Sequence, residues 1–252
     1  MRETLERLAA GDISVAEAEA ALAGYATTEA GRFDAARETR RGVPEAVLAD
    51  HKTPAEVATL AAAAVETTGR VLVTRADGDD ASAVRAELAD GVEVREDERA
   101  GVLVAHAPEF DPPSLDATVT VVTAGTADAV PAGEAAAVAR EMGATVERVD
   151  DVGVANLTRI TDQLDGLRAA DVLVVAAGRE GALPTVVAGL VDTPVVGLPV
   201  SSGYGVGGDG VAALYGLLQS CTVLSAVNVD AGFVAGAQAG LVARAISDAR
   251  TA

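Results

Sequence analysis

Only one cysteine, Cys221, occurs in the chain, so no intrachain disulfide framework can form, and a reducing cytosol is the compartment that fits. Histidine is almost as scarce: His51 and His106 both precede residue 107. A Cys/His cluster at metal-ligand spacing is therefore excluded, and so is a Ser-His-Asp or Cys-His triad built within residues 107–252. Tryptophan is absent, and phenylalanine and tyrosine number three each. The apolar half of the sequence is thus nearly all Ala, Val and Leu, the small side chains that pack the layers of an α/β protein. No apolar run approaches the ~18 residues of a membrane span, and the start, MRETLERLAAGDIS, has no apolar signal core. We expect no membrane partner.

Lysine is nearly missing too. Lys52 is the only one, against 18 arginines and 38 acidic residues, for a formal net charge of −19. The carboxylates are dispersed rather than gathered in a tail, a pattern suited to solubility in high salt, where self-repulsion is screened. No basic stripe exists to neutralise phosphates, so nucleic acid is not an expected partner.

Length allows one large domain or two small ones. Residues 1–30 begin with two short helices, the second introduced by Ser14 with Glu17 three residues on, a capping box. Residues 31–106 predict a small α+β domain, with FDAARETR, AVLAD, VLVTRAD and GVLVAHA as strands around a helix at 54–67 that Thr53 caps and Pro54 starts. A proline-containing linker at 107–116 follows. From 117 to 252 five apolar runs recur: TVTVVTAG, TVERVDDVGV, DVLVVAAG, TPVVGLPV and CTVLSAVNV. Each is expected to precede a helical stretch of ten or more residues. That alternation predicts a three-layer, doubly wound α/β domain with a parallel sheet of about five strands. Ligands of such sheets bind at the carboxyl ends of the strands.

Polar or glycine-rich sequence follows every predicted strand. Gly125, Thr126 and Asp128 in TAGTAD could form an anion site at a helix N-terminus, or simply a helix cap. In AAGREGALP, Gly178 and Gly181 bracket Arg179 and Glu180, so a carboxylate could point into a cleft or into solvent. SSGYGVGGDG, starting with Ser201, Ser202, Gly203 and Tyr204, lacks the P-loop lysine and the dinucleotide glycine spacing, yet could cradle a sugar phosphate. Cys221 is either a small buried hydrophobe or a nucleophile, and Lys52 either a solvated residue or an anion contact.

Five segments in order, TAGTAD, ERVDDVGVANLTRI, VVAAGREGALPTVVAGLVDTPVVGLPVSSGYG, GLLQSCTVLSAVNVDAGFVAGAQA and the earlier RRGVPEAVLADHKTPAEV, resemble the pyridinium-3,5-biscarboxylic acid mononucleotide synthase (LarB) family. Its C-terminal half is similar to PurE, the aminoimidazole ribonucleotide carboxylase/mutase, with a flavodoxin-like sheet. The resemblance implies carboxylation of nicotinic acid adenine dinucleotide at ring C5 and cleavage of its phosphoanhydride. The products are the biscarboxylate mononucleotide and AMP, a step toward the nickel-pincer nucleotide of lactate racemase. It implies CO2 or bicarbonate as co-substrate and no tightly bound cofactor or metal, with a Mg2+ requirement left open. It also implies a homo-oligomer, an octamer by analogy with PurE, for which the Ala/Gly-rich helix 231–250 could serve as an interface.

Under the resemblance Cys221 is the covalent nucleophile and Glu180 the base or ring contact. Thr126, Asp128 and the Ser201–Gly208 loop would hold ribose and phosphate, with Gly125, Gly178, Gly181, Asp151, Arg159, Asn228, Asp230 and Lys52 as further substrate contacts. Ala127 stands where the family pattern AGTSD has Ser, so one hydroxyl contact is missing there. A PurE-like enzyme acting on an aminoimidazole ribonucleotide and a non-catalytic nucleotide-binding protein are the alternatives.

Overall fold

The computed structural model describes residues 1–203 and 205–252, and the chain divides into two compact units, Met1–Asp111 and Pro112–Ala252. Tyr204 lies outside the described residues.

The first unit opens with helices α1 (Arg2–Ala10) and α2 (Val15–Ala23). The Ser14 hydroxyl accepts from the Glu17 N–H while the Glu17 carboxylate accepts from the Ser14 N–H, so α2 starts with two of its exposed donors satisfied. A hairpin of β1 (Ala26–Thr28) and β2 (Gly31–Phe33) leads to the one-turn helix α3 (Arg37–Arg41). Then come β3 (Val47–Leu48), α4 (Pro54–Thr68), β4 (Arg70–Thr74), α5 (Gly78–Glu87), β5 (Glu93–Asp97) and β6 (Val102–His106). The four longer-range strands pair in the order β3-β4-β6-β5, parallel at β3/β4 and antiparallel elsewhere. Val57, Leu60, Ala61 and Ala64 of α4 pack on Val71, Val73, Leu103 and Ala105 of the sheet. Three expectations fail here. FDAARETR is a strand only at Phe33; its Ala, Arg and Glu favour a helical turn that Gly42 stops in the left-handed conformation. Helix α5, capped by Asp77, and the charged strand β5 were not anticipated, because both expose most of their residues and give little apolar signal.

The second unit runs β7 (Thr118–Thr123), a 3-10 turn Thr126–Asp128, α6 (Ala129–Glu141), β8 (Thr145–Val149), α7 (Thr158–Thr161), α8 (Leu164–Ala169), β9 (Val172–Ala177), α9 (Ala182–Ala188), β10 (Val195–Pro199), α10 (Val211–Leu218), β11 (Ser225–Ala226) and α11 (Gly232–Thr251). All five strands are parallel, in the order β11-β10-β9-β7-β8. In chain order this is second, first, third, fourth, fifth, the flavodoxin-like winding. Side chains alternate across the sheet: Val119, Val121, Val172 and Val174 face Ala135 and Ala139 of α6 and Ala235 and Ala239 of α11. Val122, Leu173 and Val175 face Ile160, Leu167, Leu183 and Val187 on the other side. The sheet is therefore covered on both faces, as the apolar runs predicted.

Two details differ from expectation. The helices after β8, β9 and β10 are shorter than ten residues, since loops take up much of each connection. The small-residue face of α11 is also used within its own unit. A Cβ on Gly236 would lie 2.4 Å from Ala135 O, and one on Gly240 would lie 2.6 Å from Met142 Sδ, so this face is packed against α6 and is not available as an interface.

At the amino ends of the strands, α11 is tied to the sheet. Asp171, just before β9, accepts from Thr118 N–H at 2.8 Å and pairs with Arg250 at 2.5 Å, while Asp116 N–H donates to Ser247 Oγ at 3.0 Å. Burial pushes the Asp171 carboxyl upward, but the bonds from Arg250 and Thr118 together outweigh it and hold the group below the usual aspartate range.

Candidate functional site

The carboxyl ends of β7, β8, β9 and β10 open onto a cleft of about 520 Å³. It sits on both sides of the point where the winding direction reverses, the place at which open parallel sheets bind ligands. Gly125 and Asp128 line it after β7, Gly153–Ala155 after β8, Gly178, Arg179 and Glu180 after β9, and Ser202 and Gly203 after β10.

Close backbone approaches set the walls. A Cβ on Gly153 would lie 2.6 Å from Ala124 O, so the β8 loop rests directly on the β7 loop. A Cβ on Gly203 would lie 2.3 Å from Arg179 N, which presses the β10 loop onto the β9 turn. Gly216 of α10 meets Glu180 O, where a Cβ would sit at 2.3 Å. Gly181 adds a conformational demand: its φ of 67° is left-handed, and a Cβ there would strike Ala213 O at 2.6 Å. Any larger residue at these positions would move a wall of the cleft.

Asp128 is the buried polar centre. Its carboxylate accepts from Gly125 N–H at 2.8 Å and from the Ser202 hydroxyl at 3.1 Å, linking the first and fourth loops. Burial raises its pKa above the ordinary aspartate value, against bonds from Gly125, Ser202, Ala124 and Gly178 that pull it down. Because Gly125 N–H is spent on Asp128, the helix-start anion site has a carboxylate already seated in it. Gly125 itself is extended, at φ −150°, a conformation open to any residue type.

The structure thus brings Gly125, Asp128, Gly178, Glu180, Ser202 and Gly203 to one cleft. The remaining expected residues stand around it or apart from it. Thr126 is exposed on the turn before α6. Asp151, left-handed at φ 59°, accepts from Arg159 at 3.2 Å, and neither residue lines the cleft. Ser201 N–H donates to Asp230 Oδ1 at 2.9 Å, which binds the base of the β10 loop to the segment after β11. Asn228 is exposed and accepts from Val229 N–H. Lys52 belongs to the first unit, where its Nζ donates to Leu48 O at 2.6 Å beside the Thr53–Glu56 capping box.

Cys221 is exposed, which removes the buried-filler reading. It does not line the cleft. It opens instead onto a second cavity of about 620 Å³ at the amino ends of β9, β10 and β11, with Asp192, Thr193, Thr222, Ser225 and Gln238. One chain therefore does not place Cys221 and Glu180 in the same cavity. Among the described residues, no three His, Cys, Asp or Glu side chains gather as a metal site, and no helix is long and apolar enough to cross a membrane.

Sequence reasoning missed Arg179 as a lining residue, although it sits between two glycines after a strand. It also missed Gly153–Ala155, whose signal was only their place after β8.

Comparison with known proteins gives two domain matches in one chain. Residues 25–107 match the LarB/PurE-like N-terminal domain, and residues 118–252 match the AIR carboxylase domain. A protein of Methanocaldococcus jannaschii known as Uncharacterized protein MJ0165 is 32% identical over 252 residues, covering 97% of each chain. With both domains matched in that order in one chain, the chain belongs to the LarB family, with a PurE-like carboxylase C-terminal domain.

Proposed function

We propose that this enzyme carboxylates the pyridinium ring of nicotinic acid adenine dinucleotide at C5 and cleaves the phosphoanhydride, releasing pyridinium-3,5-biscarboxylic acid mononucleotide and AMP. The observation that carries this reading is the pairing of a LarB/PurE-like N-terminal domain with an AIR carboxylase domain that contains no histidine, since His51 and His106 both lie before residue 107. Without an imidazole in the second domain, a histidine proton shuttle for an aminoimidazole substrate is missing.

The chemistry needs a nucleophile that can also leave. A pyridinium resists electrophiles such as CO2. Addition of the Cys221 thiolate to the ring carbon beside C5 gives an enamine-like dihydropyridine whose C5 bonds to CO2. Glu180 then takes the C5 proton, the C–S bond breaks, and the electron pair that leaves with sulfur regenerates the thiolate as aromaticity returns. Water adds across the phosphoanhydride to release AMP.

Since Cys221 and Glu180 open onto different cavities, the enzyme acts as a homo-oligomer in which the thiol of one copy serves the cleft of the next. An apolar stripe on α10 supports such packing: Val211, Tyr215 and Leu218 share a helix face and are 44%, 58% and 65% exposed.

The test is incubation of the purified protein in high salt with nicotinic acid adenine dinucleotide and bicarbonate, followed by mass spectrometry. AMP and a mononucleotide carrying one extra carboxylate are expected. Absence of both refutes the reading, and carboxylation of an aminoimidazole ribonucleotide instead would establish the PurE-like activity.

A further inference from the structure

The cleft has an unusual charge pattern. Its lining contains two carboxylic acids, Asp128 and Glu180, and one cation, Arg179, among the described residues. Arg179 and Glu180 are consecutive on the turn after β9, so one cationic and one acidic residue line the same pocket in succession.

That turn is held firmly. Arg179 has φ 51°, a left-handed conformation that costs a non-glycine residue energy and persists only where the surroundings enforce it. The surroundings do so here, because Gly203 packs directly on Arg179 N and a Cβ on Gly178 would lie 3.1 Å from Gly203 N. Asp128 in turn holds the neighbouring Ser202. The start of the Arg179 side chain is therefore positioned before any ligand arrives, which lowers the ordering cost of binding.

We propose that Arg179 binds the ring carboxylate of the substrate and so selects the acid form of a pyridine dinucleotide over the amide form, an inference that rests on the reading of this cleft as a pyridinium-ring site. A nicotinate ring carries positive charge at nitrogen and negative charge on its carboxylate. The cleft lining supplies one charge complementary to each, Glu180 to the ring nitrogen and Arg179 to the carboxylate. A guanidinium offers two parallel N–H donors to a carboxylate, whereas an amide oxygen is neutral and takes a weaker bond. A charged hydrogen bond of this kind corresponds to roughly tenfold to a hundredfold in affinity.

The test is calorimetric titration of the full-length protein without bicarbonate, using nicotinic acid adenine dinucleotide and its amide counterpart NAD+. The two ligands share both phosphates and differ at the ring substituent. The wild type should bind the acid at least about tenfold more tightly. Arg179→Gln should erase that preference while leaving NAD+ affinity within about twofold. Arg179→Lys, which keeps the charge but loses the fork, should retain part of it, and decides the matter if the Gln variant fails to fold. A wild type without acid preference overturns the proposal. So does a preference unchanged in either variant, or an equal loss for both ligands, which would mean a phosphate contact. Acid-selective, Arg179-dependent binding without release of AMP would uphold this assignment and refute the carboxylation reading alone.

Discussion

The two ends of the five-stranded sheet are built on opposite plans. At the carboxyl end, Asp151, Arg179, Asp209 and Asp230, four of the six non-glycine residues with positive φ among the described residues, stand in the loops that follow β8, β9, β10 and β11. Strained backbone gathers there because bare glycines let one loop press on the next, and the cleft forms between them. At the amino end the chain is tied down by side chains instead: Asp171 bridges Arg250 and Thr118, and Ser247 holds Asp116. One end thus stores strain around the cleft, and the other secures the fold. Cys221 cuts across this division, since it is exposed at the amino-end cavity.

The largest effect expected bears on that exception. Cys221→Ser should lower turnover at least about a thousandfold if the thiolate carries the covalent step, with an unchanged melting temperature because the side chain is exposed. Co-expressed Cys221→Ser and Glu180→Gln copies should recover part of the activity, since mixed assemblies contain cleft and thiol pairs with both groups intact. Full turnover in the Ser variant would remove the thiol from the chemistry. No recovery in the mixture would place thiol and carboxylate in the same chain.

A middle-sized effect should appear at the secured end. Asp171→Asn should cost about 1 kcal/mol of unfolding free energy at neutral pH, a modest figure because Arg250 is 43% exposed and its pair is screened. Turnover per folded molecule should not change. The Asp171 carboxyl is held low in the fold, so its stabilisation is present above the ordinary aspartate value of about 3.9 and is lost as pH falls through the lower folded value. Denaturant melts of wild type and variant should therefore converge in acid; a constant gap would refute the ionic account.

The smallest effect concerns Asp128 at the strained end, whose sign is reversed. Burial raises its carboxyl, so its contribution is complete below the ordinary aspartate value and is lost as pH rises through the folded value. Asp128→Asn, neutral throughout, should flatten that part of the stability profile. An unchanged profile would show that the buried carboxyl does not titrate there.

Much of this architecture could be read from residue order. Valine-rich runs such as DVLVVAAG, apolar at every position from Val172 to Ala177, announce strands covered on both faces, and the intervening small-residue segments announce the helices. Gly125, Gly178 and Glu180, which line the cleft, could be picked out because they stand just after such runs. Elements with weak apolar patterns, such as β5 and α5, were not legible, since their surfaces are mostly solvated.

Composition and local pattern were enough to establish the class of fold, the capped helix starts and the loops that line the cleft, because periodicity and capping act over a few neighbouring residues. Three-dimensional packing settled what local pattern cannot express. It seated Asp128 against Gly125 and Ser202, placed Arg179 in the cleft wall, and set Cys221 at the far end of the sheet from Glu180. Those placements depend on contacts between loops distant in the chain, where the fit of one backbone against another decides which side chains share a pocket.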